Sequence, residues 1–311
     1  MKKTGLVLLT IILLVALAAC NSKSSSSSSS KELIFWNPFT GPDGQNMKSM
    51  IDEYNKTNPT YKIKNISLKE SDMYKKIQTV VTSGKNVPDL MIVHAERIKL
   101  YKDNEMLTNF DAHLTEYPEI KGENYLKEAW DIGDLDGSRY SVPLDIHSFA
   151  MYYNKDLVEK YAPGSLDDNI VTFDEIKAAG EKSQNDKITA LGITWTKPNF
   201  LSTYAQNGGK LTENGIDPTI NNEQAKAAFQ IWNDMYKERV TNKDGEDPAQ
   251  MFLQGKLIFY PEGIWMNNNL KGTKFEYGLT NAPQLTDDKS KMVNWSSSHQ
   301  FVMFNSKERS N

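Results

Sequence analysis

The sequence predicts an α/β protein with a parallel core, long enough for two domains. Apolar runs suited to strands alternate with stripes at helical spacing between residues 33 and 93. The same style recurs between residues 172 and 260, and about 280 residues follow an N-terminal leader.

Leu33-Ile34-Phe35-Trp36 reads as a buried strand. Met47, Met50, Ile51 and Tyr54 then fall at i, i+3, i+4 and i+7, one face of an amphipathic helix. Tyr61 to Ser67 alternates as a second strand. Met73, Ile77, Val80 and Val81 form another helical stripe, which Gly84 closes. Pro88-Asp89 leads into Leu90-Met91-Ile92-Val93, a continuous apolar run suited to a central parallel strand. In the second half, Thr172 and Glu175 have the spacing of a capping box that opens a helix through Ile176 and Ala179. Ala190 to Thr194 is a short strand. Ala225, Ala228, Phe229, Trp232, Met235 and Tyr236 make a helical stripe, and Asp247-Pro248 starts a helix that Gly255 ends. Lys256 to Tyr260 and Gln300 to Phe304 read as further strands.

The first nineteen residues read as an export signal, with Lys2 and Lys3 followed by an apolar stretch from Gly5 to Ala19. That stretch is shorter than the roughly 20 residues of a spanning helix. It ends Leu17-Ala18-Ala19-Cys20, small residues before the only cysteine, which resembles a lipobox; an ordinary signal peptide is the alternative. Ser24 to Ser30, within residues 20–31, make a tether that buries nothing. A single cysteine excludes an intrachain disulfide. Loss of the leader moves the net charge from −4 to −6, which does not point to nucleic acid or anionic lipid as a partner.

Several stretches together resemble the extracellular solute-binding proteins of carbohydrate ABC importers, a family that includes maltose-binding protein. They are Phe35-Trp36, Pro88-Asp89, Val142-Pro143-Leu144-Asp145, Tyr153-Asn154-Lys155-Asp156-Leu157, Gln254-Gly255-Lys256, Glu262-Gly263-Ile264-Trp265, and Trp295 to Phe301. The resemblance implies a two-lobed periplasmic-binding-protein-like clamp with the ligand cleft between the lobes. Lobe 1 would comprise residues 32–144 with a return segment of about 283–311, and lobe 2 residues 145–282. The chain would cross near 142–148 and return near 281–293. It implies a monomeric, extracytoplasmic receptor without cofactor, anchored through Cys20, that takes a carbohydrate ligand and docks on permease subunits. Members of the family continue well beyond residue 311, so a shortened C-terminus is expected, with apolar surface left uncovered at Gln300 to Phe304.

A sugar presents apolar C–H faces and a rim of hydroxyls, so its site needs flat rings and polar side chains. Such groups follow the expected strands: Trp36 and Asn37, His94 and Glu96, Asp145 and His147, Trp195, Glu262 and Trp265, Trp295 and His299. By motif, the resemblance places an acidic hydroxyl binder at Glu96, a polar binder at His147 and a stacking ring at Trp265. His147 is acidic in the maltose-binding relative, so sugar identity does not carry over. Trp36 has core and cleft readings, Asp145 hinge-capping and ligand readings, and Asp89 reads as a strand-end turn residue. Trp232, on a helical stripe, reads as core. Tyr152 and Tyr153 straddle a strand, so one is expected to face the core.

Other classes fit less well. A glycoside hydrolase needs two carboxylates across the scissile bond, and no spacing singles out a pair among Glu96, Asp145 and Glu262. Convergence of His94, His147 and His299 would suit a metal receptor, but their spacing makes no ligand motif and no metal is assigned. A peptide or amino-acid ligand is a further alternative.

Overall fold

The computed structural model describes residues 31–214, 217–286 and 288–306. Its strands form two larger sheets. In the first, β1 (Lys31–Asn37) lies between β2 (Tyr61–Ser67) and β3 (Leu90–His94), parallel to both. The late strand β12 (His299–Phe304) runs antiparallel beside β3 and pairs further with β4 (Leu107–Thr108) and β5 (Val142–Pro143). The second sheet has the order β8 (Thr189–Leu191), β9 (Leu257–Glu262), β7 (Ala150–Asn154), β10 (Tyr277–Thr280). A two-stranded ribbon joins β6 (His147–Ser148) to β11 (Ser296–Ser297).

Alternation along the strands sends side chains to both faces of the first sheet. Trp36, Met91, Val93, Val302 and Phe304 pack with Met73, Tyr74 and Ile77 of α2 (Glu70–Ser83). Phe35, Ile92 and Phe301 lie on the opposite face, with Ile51 of α1 (Pro42–Lys56). α2 ends as its sequence demands, with Gly84 at φ 68°, a left-handed conformation that lets its N–H reach the carbonyls of Val80 and Val81. The stripe of α1 is shallower than its periodicity implies. Only Ile51 is buried in this helix, while Met50 and Tyr54 are exposed.

In the second half, α4 (Phe173–Ser183) begins with the expected capping box: Thr172 accepts the Glu175 N–H, and the Glu175 carboxylate accepts the Thr172 N–H at 2.7 Å. α6 (Glu223–Lys237) buries Ala225, Ala228, Trp232 and Met235 but leaves Phe229 and Tyr236 exposed. Asp247 caps α7 (Pro248–Leu253). Within the chain order, α3 (Lys155–Tyr161) and α5 (Thr196–Gln206) complete the helices used below.

Four expectations need correction. The strand read as 190–194 stops at Leu191, and the strand read as 256–260 runs on to Glu262 because Pro261 and Glu262 still pair with Met151 and Ala150. Tyr152 and Tyr153 both meet apolar neighbours, on opposite faces of β7, because helices cover the sheet on both sides. Residues 301–304 are also better covered than expected. β12 is an interior strand, so Val302 and Phe304 are fully buried, and Phe301 meets Phe35 at a ring separation of 6.2 Å; Phe301 and Met303 are half-buried. Among the described residues, no helix is long and apolar enough to cross a membrane. Cys20, the export signal and nearly all of the tether lie outside the described residues.

Candidate functional site

β3 delivers His94 at its C-terminal end, and β12 begins with His299 directly opposite it, since the antiparallel register pairs these two residues. The segment after β5 carries Asp145 and then His147, the first residue of the ribbon strand β6. The three imidazoles consequently pack together, with ring centroids 4.7 Å apart for His94 and His299, 4.3 Å for His147 and His299, and 5.9 Å for His94 and His147.

Asp145 organises two of these rings. Its Oδ1 lies 3.1 Å from His147 Nδ1 and its Oδ2 lies 2.8 Å from His299 Nδ1, while Oδ1 also accepts the His299 backbone N–H at 2.9 Å. Burial alone would raise the Asp145 carboxyl. The hydrogen bonds from His147 and His299 outweigh it and hold the group well below the usual carboxylate range. Tyr74 of α2 organises the third ring: its hydroxyl is 2.6 Å from His94 Nδ1 and accepts the His94 backbone N–H at 2.9 Å. Burial, reinforced by the neighbouring His299, pushes the His94 imidazole down to about 4. Burial also raises the Tyr74 phenol above its ordinary value, so the hydroxyl keeps its proton at neutral pH.

Beside the histidines stands a wall of aromatic rings carried by the second sheet and by the ribbon. Trp265, in the turn Ile264–Asn268 after β9, meets His147 and Phe149 edge-on, each at 6.2 Å, and meets Trp195 at 6.0 Å. Trp295 stacks on Phe149 at 5.1 Å and lies 5.6 Å from His147. Glu262 anchors this wall from beneath. Its carboxylate accepts Trp195 Nε1–H at 2.6 Å, the Tyr260 hydroxyl at 2.7 Å and the Gly263 N–H at 3.0 Å. Burial raises the Glu262 carboxyl, and these donors only partly offset the rise.

Gly263 is required for the placement of Trp265. A Cβ added there would sit 2.2 Å from the indole ring, closer than real carbon contacts allow. Gly263→Ala is therefore expected to displace Trp265 while leaving the fold intact. Its indole fluorescence should shift and ligand affinity should drop by about tenfold or more, as for a misplaced binding group; an unchanged affinity would separate Trp265 from the site.

Eight of the eleven sequence candidates thus meet: His94, Asp145, His147, Trp195, Glu262, Trp265, Trp295 and His299. Glu96 sits at the rim, exposed, where its carboxylate accepts the Ser297 hydroxyl from the ribbon at 3.2 Å. Trp36 goes elsewhere: its ring is 4% exposed and lies in the core under α2, because the alternation of β1 turns it inward. Asn37 is buried too, bonded to Asn65 of β2. Asp89, just before β3, binds the middle of β1 by accepting the Ile34 N–H at 2.7 Å. Phe149 and Tyr74 join the site without a sequence signal of their own, although Phe149 is two residues past His147 on the same extended segment. A hollow of about 760 Å³ at the opposite end of β12, lined by Thr82, Glu105, His113 and Met303 among others, has no such convergence of rings and carboxylates.

An α/β protein with aromatic walls and fixed polar groups at the ends of two sheets has the build of a small-solute receptor. A family model described as bacterial extracellular solute-binding protein matches residues 49–310, and the chain belongs to that family. It is 28% identical over 235 residues to the maltodextrin-binding protein MdxE of Bacillus subtilis, covering 71% of this chain and 54% of the relative. It is also 28% identical over 220 residues to a maltooligosaccharide ABC transporter solute-binding lipoprotein of Streptococcus pneumoniae, covering 66% and 49%. The chain therefore spans about half the length of these curated relatives. Among solved structures, it resembles an ABC substrate-binding protein of Listeria monocytogenes in complex with cycloalternan, with a TM-score of 0.78 and 21% identity over 90% of this chain and 72% of the other. The GacH receptor of Streptomyces glaucescens has the same TM-score at 18% identity, over 90% of this chain and 73% of the receptor. The shared fold is the two-lobed α/β clamp.

Proposed function

We propose that the protein captures a sugar or oligosaccharide outside the cell and delivers it to an ABC transporter permease, binding the ligand without transforming it. The observation that carries this reading is the wall of Trp195, Trp265, Trp295 and Phe149 facing a polar floor of histidines and Asp145. Rings of this kind cover the C–H faces of a sugar, and the polar groups meet its hydroxyls. The names of the relatives, which include maltodextrin and maltooligosaccharide binding, support a glucan-type ligand. A hydrolytic role has less support, because both Asp145 and Glu262 are already committed to protein donors.

In this reading lobe 1 comprises residues 32–144 with the return segment, and lobe 2 residues 145–282. The ribbon of β6 and β11 belongs to the crossing between them. The site draws on both sheets, so ligand should pull the lobes together by a hinge. Titration with maltooligosaccharides in small-angle scattering is expected to lower the radius of gyration as the sites fill. Saturable sugar binding at constant radius would point to a preformed site, and no binding of any mono- or oligosaccharide would overturn the reading.

The protein belongs outside the cytoplasm, as its family does, and we assign its anchor to a lipid on Cys20. Cys20→Ser is expected to abolish metabolic labelling with palmitate and to release the protein or leave it unprocessed. Labelling that survives the substitution would rule out this attachment.

A further inference from the structure

The three histidines have a property that sugar recognition does not require. One ring nitrogen from each of His94, His147 and His299 lies within 4.8 Å of the other two. The Nδ1 atoms are engaged: Asp145 holds those of His147 and His299, and Tyr74 holds that of His94. A carboxylate can only accept, so the Asp145 contacts place the protons of the neutral His147 and His299 rings on Nδ1 and leave Nε2 as a lone pair. No donor among the described residues reaches either Nε2. Two acceptors left open in this way, with a third ring against them, form a site that a cation would satisfy.

We propose that His94, His147 and His299 bind a divalent transition-metal ion of the zinc type through their Nε2 atoms. Three imidazoles are a ligand set suited to zinc, copper or nickel, and not to magnesium or calcium. Asp145 and Tyr74 take the positions of the outer hydrogen-bonding groups that orient metal-bound histidines. Tyr74 can either give its proton to His94 Nδ1 or accept one from it, and a cation on Nε2 selects the second arrangement. Zinc–nitrogen bonds of about 2.0–2.1 Å set neighbouring nitrogens about 3.4 Å apart, so binding would draw together rings that already bring one nitrogen each within 4.8 Å of the others. With three protein ligands, the fourth position stays open to water or to an oxygen of a bound solute.

The test uses Zn²⁺ alone, without sugar, on the chelator-treated protein. Equilibrium dialysis is expected to show one Zn²⁺ per chain at micromolar or tighter affinity, with a raised melting midpoint. His147→Ala and His299→Ala should each weaken binding at least tenfold. Asp145→Asn, which spares all three ligands, should weaken it by about 10–100-fold as an outer-shell change. His113→Ala, on an exposed helix away from the site, should bind as the parent does. Should a histidine variant fail to fold, Co²⁺ bound to the unsubstituted protein gives a second readout: strong visible bands of a four- or five-coordinate ion support the site. Pale octahedral Co²⁺, no Zn²⁺ bound at high micromolar concentrations, or parental affinity in the folded His147 and His299 variants would each overturn it. Sugar titrations run in chelator keep this outcome separate from that of the sugar reading.

Discussion

Replacing Trp232 with alanine is expected to destabilise the protein by about 3–5 kcal/mol, the range for removing a large buried ring. The residue is 5% exposed on α6, and its Nε1–H donates to Thr203 Oγ1 of α5 at 3.0 Å in a buried contact. Its ring also meets Phe200 of α5 edge-on at 6.0 Å. Alanine would leave a cavity between these helices and remove the donor that reaches Thr203, so the two losses add. For a domain of this size the melting midpoint should fall by roughly 10 °C. Affinity per folded molecule should not change, because Trp232 lies among the core residues behind the second sheet. A loss below about 1 kcal/mol would mean that the neighbouring helices collapse onto the vacated space.

Trp265→Ala should do the reverse. The ring is half-buried and shares its edges with His147, Phe149 and Trp195, all at the site. Its removal takes away a stacking surface in the middle of the binding wall, where aromatic anchors cost about 2 kcal/mol or more. That corresponds to roughly a 30-fold loss of sugar affinity, with a smaller shift in melting than Trp232→Ala gives. Calorimetric titration of both variants beside thermal melts separates the two roles. Equal losses of stability with affinity untouched would remove Trp265 from the ligand surface.

Residues that look alike in sequence thus have different fates. Trp36, Trp232 and Trp265 all fall beside expected strands or on stripes, yet the first two are core and the third belongs to the site. Trp232 was legible, because its helical stripe repeats with Ala225, Ala228 and Met235 on the same face. Trp36 was not, because a tryptophan at a strand end reads equally as core or cleft until the face covered by α2 is known. The exposed members of the stripes on α1 and α6, such as Met50 and Phe229, show the same limit: periodicity tells which residues share a face, not how much of that face is covered.

Local chemistry by itself determined the helix ends and most of the strands. The capping box at Thr172, the Asp247-Pro248 start and the left-handed Gly84 rest on hydrogen bonds within a few residues of one another, so neighbouring sequence suffices to specify them. The family motifs were legible for the same reason, as short continuous segments. Only the tertiary structure decided that His94 faces His299 and that Asp145 bridges two imidazoles. That convergence depends on an antiparallel register between strands far apart in the chain, set by the pairing of whole sheets and the burial of Val302 and Phe304 beneath α2. No spacing along the sequence encodes it, because each histidine enters the site on a different strand.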